Sequence, residues 1–133
     1  MSKREHPRPS EEHIQRTHEI VEFLLPALRE VARSGGWALA THGSMERDID
    51  VVLIPWREFQ PIEVEYVVGQ FFKVCRLLCS ATWSGKKYED EETPPPEHKS
   101  HGRLSWAIML GGPYLDISAW PCPSEAKTEE PAK

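Results

Sequence analysis

The chain has 133 residues, a formal net charge of −5 and 39% apolar residues, enough for one hydrophobic core but not for two. The acidic balance argues against general nucleic-acid binding, which rests on an excess of Lys and Arg over phosphate. No apolar run approaches signal-peptide or bilayer-spanning length, so a cytoplasmic protein without a membrane partner is expected.

Residues 1–9 are polar and Pro-containing and are expected to be disordered, ahead of a single domain over 10–121. Ser10 followed by Glu11 and Glu12 reads as a helix N-cap with acids in the first turn. Ile14, Ile20, Val21, Leu24, Leu25, Leu28 and Val31 then recur at helical spacing, and Gly35-Gly36 ends the pattern. Pro26 inside it removes a backbone donor and is expected to kink or split the helix near Leu25. His13 and His18 stand five apart, on different helix faces, and read as solvent-side residues.

The stretch Trp37 to Trp56, WALATHGSMERDIDVVLIPW, carries the chemistry. Trp37–Thr41 predicts a strand, Ser44–Arg47 a tight turn, and 48–54 a second strand stopped by Pro55. Side chains alternate along a strand, so Asp48 and Asp50 share a face about 7 Å apart and could hold one cation. Equally, they could end the strand by accepting bonds from turn amides. His42 lies just before the Gly43-Ser44 turn and could face the same cleft. Trp56 reads first as a cover for the end of the core, and second as a pocket border.

From Pro61 to Ser80 the apolar spacing predicts a second helix, with Cys75 and Cys79 as small core residues. With Cys122 they make an odd set lacking any CxxC pair, so no disulfide framework or zinc ribbon is indicated. Ala81–Trp83 could form a short strand, and 85–100, with three consecutive prolines, reads as an exposed mobile loop, a lid or a tolerated insertion. Strands over Leu104–Leu110 and Tyr114–Trp120, joined through Gly111-Gly112, form a predicted hairpin with Asp116 mid-strand. Lys99, His101 and Arg103 lead into it as either solvated charges or a phosphate grip. The tail, 122–133, is acidic and is expected to be disordered.

Gly43-Ser44, Asp48-Ile49-Asp50 with its apolar continuation, and the later Asp116 together resemble the DNA polymerase beta-type nucleotidyltransferase superfamily. More narrowly, His42 to Trp56 and His101 to Ser118 are similar to segments of short bacteriophage-encoded proteins grouped with that fold. The resemblance implies an α/β (α+β) fold, a small mixed sheet with two main helices packed on one face and the charged loop over the carboxylate end. It also implies a metal triad of Asp48, Asp50 and Asp116 holding Mg²⁺ or Mn²⁺ and acting in catalysis. An NTP would have its phosphates near Gly43, Ser44, Arg47, His42, Lys99, His101 and Arg103. The sequence departs from the superfamily in one place: only Met45, Glu46 and Arg47 separate Ser44 from Asp48, too few for the helical turn that usually grips phosphate there. Three readings follow: transfer of a nucleoside monophosphate from an NTP to an unidentified acceptor, a nucleotide- or host-protein-binding relative without turnover, and a structural domain with a coincidental triad.

Overall fold

A computed structural model describes residues 8–56 and 62–120. Helix α1 runs Glu11–Ser34, capped by the Ser10 side chain, which accepts from the His13 amide at 3.1 Å. It is assigned as one helix through Pro26, not split. Pro26 lies on the exposed side, where the carbonyl that lacks its partner can be hydrated. Strand β1 (Trp37–His42) and strand β2 (Ile49–Pro55) form an antiparallel pair. Pro55 is the last residue of β2 rather than the one beyond it, opposite Trp37 at the end of the ladder.

Helix α2 is Val64–Cys79, ending at Ser80 in the left-handed conformation; the expected start at Pro61 lies outside the described residues. Its alternation is imperfect: Tyr66 and Leu77, counted in the apolar pattern, are 59% and 84% exposed. Short strands β3 (Thr82–Trp83) and β4 (Glu97–His98) flank the charged segment, followed by a 3-10 turn over Ser100–Gly102, β5 (Leu104–Met109) and β6 (Tyr114–Ala119).

The sheet is mixed, in the order β1-β2-β6-β5-β3 with β4 also on β5. Every pair is antiparallel except β2 with β6, where Asp50 stands opposite Asp116. One face is buried under both helices: Ile49, Val51 and Leu53 of β2, Leu115, Ile117 and Ala119 of β6, and Trp106 and Ile108 of β5 meet Leu24, Leu28, Val68 and Phe71 in one core. The fold is therefore α+β, with two helices on one side of a six-stranded sheet. Strict alternation leaves Asp50, Val52 and Ile54 of β2, and Tyr114, Asp116 and Ser118 of β6, on the other face.

The segment 85–100 is exposed along most of its length but tied to the helix side at several points. Arg76 of α2 stands over the Tyr88 ring at 4.3 Å and over Phe72 at 5.8 Å. Its Nη1 lies 3.2 Å from Glu91 Oε2, an ion pair without hydrogen-bond alignment. Trp106 donates to the Pro94 carbonyl at 3.2 Å. Thr93 Oγ1 would lie 2.9 Å from a Cβ at Gly69, so only glycine lets the segment approach α2 this closely. The expected mobile loop is thus clamped, because a cation and an indole N–H, each partly buried, need partners that the loop supplies. Of the ends expected to be disordered, 1–9 and 122–133, residues 8 and 9 are described, with Arg8 paired to Glu11 and Glu46, and the rest lie outside the described residues, Cys122 among them. Cys75 is buried and Cys79 partly buried against the core. No described helix is long and apolar enough to cross a membrane.

Candidate functional site

Three neighbouring strands place His42, Asp50 and Asp116 in one row across the open face: His42 pairs with Asp50, and Asp50 with Asp116. In register, partners project to the same side, so the parallel β2–β6 ladder forces two carboxylates together. Desolvation, with the Asp50 and then the Asp48 charge behind it, pushes the Asp116 carboxyl up to about 6, while Lys99 opposes the shift. Asp50 adds to it through a side-chain hydrogen bond as well as through its charge, in keeping with the register of the two strands.

Asp48 precedes β2 and its Oδ1 accepts from the Tyr114 amide at 3.0 Å. That bond fixes the acid to the first residue of β6 and satisfies an amide at the mouth of the ladder. Asp48 therefore accepts a backbone amide, but from the first residue of a distant strand and not from the turn that the plainer sequence reading named, while still lying close enough to influence Asp116. Among the described residues, no group of three or more His, Cys, Asp or Glu side chains closes around a point suited to a metal ion. The closely approached pair is Asp50 with Asp116. A donor set made only of carboxylate oxygens suits a hard cation such as Mg²⁺ or Mn²⁺ better than zinc or copper.

The β1–β2 connection, 43–48, bends back over this pair. Gly43 has φ +84, and a Cβ there would lie 3.0 Å from Asp50 Oδ2. The backbone thus comes up against the carboxylate in a conformation that favours glycine. Ser44 Oγ accepts from the Glu46 amide at 3.2 Å, a local turn bond with no helix following it. Met45 is also left-handed, φ 63. The Arg47 carbonyl bonds His13 Nε2 at 2.9 Å. Spacing within a helix tests only neighbours three or four residues away, so nothing in the sequence marked His13 as an anchor for a turn 34 residues on.

The basic run arrives from the other side. Leu104 pairs with Ala119 and Ala107 with Asp116, so β5 begins three residues past the acids. Arg103 nevertheless sends Nη1 to Ser118 Oγ at 2.8 Å, next along the face from Asp116. Lys99 is close enough to Asp116 to lower its pKa and ion-pairs Glu97 at 2.9 Å. His101, φ 62, is exposed in the 3-10 turn, with no bond tying it to the carboxylates among the described contacts. Of the residues singled out in the sequence, Asp48, Asp50, Asp116, Gly43, His42, Lys99 and Arg103 are thus gathered around the same part of the open face. Arg47 and Ser44 are held in the turn, and His101 stands apart. Trp56 is 49% exposed rather than covering the core, its amide bonded to the Gly36 carbonyl at 3.1 Å.

No family model and no curated protein matches the chain. Among solved structures, a poly(U) polymerase with magnesium and 3′-dATP bound is similar at TM-score 0.47 and 12% identity, over 84% of this chain and 32% of that one. The chain spans about a third of that polymerase's length.

Proposed function

We propose that the chain is a minimal metal-dependent nucleotidyltransferase that moves a nucleoside monophosphate from an NTP to an acceptor. One observation carries the reading: Asp50 and Asp116 stand in register on the open face, flanked by Asp48 on one side and by Arg103 and Lys99 on the other. Bound there, a divalent cation, Mg²⁺ or Mn²⁺, would neutralise the paired acids and polarise the phosphate. Asp48 and Asp50 would hold it, and Asp116 would position the acceptor or take its proton. The acceptor oxygen attacks the α-phosphorus, the α–β bridging bond breaks, and pyrophosphate departs with the electron pair. Arg103 and Lys99 supply positive charge beside the transferred group, and the Gly43-Ser44 backbone approaches the leaving phosphates.

The test is pyrophosphate release from each NTP with Mg²⁺ or Mn²⁺, in wild type and Asp50→Asn. Turnover retained in the variant removes the mechanism. A second reading, favoured by the helix-free connection from Ser44 to Asp48, is a relative that captures a nucleotide, or a host protein if the chain is phage-encoded, without turnover. It predicts metal-dependent nucleotide affinity that Asp50→Asn abolishes, and no pyrophosphate in wild type.

A further inference from the structure

The open face continues past the acids into apolar surface. Along β6 the positions on this face run Tyr114, Asp116, Ser118 and, one step past the ladder, Trp120; along β2 they run Asp50, Val52 and Ile54. The register pair Leu53 with Ala119 is the last of the ladder, and the two strands run on from it into Ile54 and Trp120. They are 48% and 40% exposed, and Ala38 of β1, opposite Ile54, is exposed too. Three of the tryptophans, Trp37, Trp83 and Trp106, are buried on the helix side, while at the other end of the open face Met109 and Tyr114, paired in register, are also exposed. An indole and an isoleucine left partly in water at the same end of neighbouring strands offer an apolar surface beyond the acids.

What lies between identifies the occupant. Arg103, bonded to Ser118, sits between the carboxylate pair and this apolar surface. Four strand residues, about 13 Å, separate Asp116 from Trp120. Acids for a cation, then a guanidinium for phosphate, then an aromatic plane match in order the parts of an extended nucleotide: metal-bound phosphates, 5′ phosphate, base. On the far side of the acids, Tyr114 has its amide committed to Asp48, and the Arg16 guanidinium lies against Gly111 and Gly112 of the turn before it, not between it and Asp116 along the strand.

We infer that Trp120, with Ile54 at the same end of the neighbouring strand, is the base-stacking surface for the nucleotide whose phosphates meet Arg103 and the carboxylates. This rests on the nucleotide reading above. Stacking on an indole accepts any base, so the four NTPs are expected to bind with similar affinity.

The experiment compares Mn²⁺-dependent binding of ATP, UTP and inorganic tripolyphosphate to wild type, Trp120→Ala and Trp120→Phe. The expected result is roughly tenfold weaker ATP and UTP binding in Trp120→Ala, unchanged tripolyphosphate binding, and recovery in Trp120→Phe. Tripolyphosphate binding to wild type as tightly as ATP would overturn the inference while leaving the phosphate site standing. So would nucleotide affinity indifferent to Trp120→Ala, or weakened equally with tripolyphosphate. Binding of none of the three to folded wild type would remove the nucleotide reading and this one with it.

Discussion

Asp50 and Asp116 face each other across the parallel β2–β6 ladder, the one place in the described sheet where neighbouring strands run the same way. Two acids in register on adjacent strands cost free energy when nothing neutralises them. Here that cost coincides with the centre of the open face.

The Asp116 carboxyl, pushed up to about 6 by burial and its acidic neighbours, gives a pH signature. Its folded pKa is above the unfolded 3.8, so the folded state holds the proton more tightly. Its contribution to stability is complete below about pH 4 and lost as pH rises through about 6. In metal-free buffer, wild type is expected to lose melting temperature relative to Asp116→Asn across that window, and the variant to be the more stable at pH 7. Parallel melting curves from pH 4 to pH 7 would show that the carboxylate pair costs the fold nothing.

Asp50→Asn keeps the side-chain volume and removes the central charge. Secondary structure is expected to persist while any pyrophosphate-releasing activity falls by about three powers of ten, the scale of the charge stabilisation a metal site supplies. Circular dichroism and a pyrophosphate assay on one preparation separate this from misfolding.

Gly43→Ala places a methyl 3.0 Å from Asp50 Oδ2 in a left-handed backbone. A stability loss of about 1–2 kcal/mol is expected from the backbone alone. Metal affinity should fall with it, because relieving the contact moves either the 43–48 connection or the carboxylate. Chemical denaturation and Mn²⁺ titration read the two effects; an unchanged metal affinity would mean that the connection yields and the acid does not.

Arg76→Ala removes the cation between Tyr88 and Phe72 and its ion pair with Glu91. The expected cost is about 1–2 kcal/mol, with faster amide exchange confined to residues 86–98. Hydrogen exchange unchanged in that segment would mean that the Trp106 and Gly69 contacts suffice to hold it.

Burial patterns were legible in the sequence because they depend on periodicity: the α1 stripe, the alternation of β6 and the Gly111-Gly112 hairpin all follow from residue type and spacing. Partnership was not. Alternation tells which face Asp116 occupies but not which strand lies beside it, so the pairing with Asp50 needed the three-dimensional register. Glu97 and His98 carry no apolar signal, and β4 exists through its backbone pairing to β5. His13 was passed over because its partner is a distant carbonyl. Trp56 read as a core cover from its residue type and Leu77 as a core residue from its place in the α2 spacing, and both are exposed.

The β2–β6 ladder also bears on the order in which the molecule takes shape. The β1–β2 and β5–β6 hairpins close over short loops, whereas Asp48 and Tyr114, which meet at the mouth of the parallel ladder, are 66 residues apart in the chain. Joining them closes a loop that contains α2 and the clamped segment, and long-range closure of this kind is a slow step. The carboxylate row is accordingly expected to form late in folding, after the two hairpins. A refolding experiment followed by Mn²⁺ binding should lag behind one followed by helical circular dichroism.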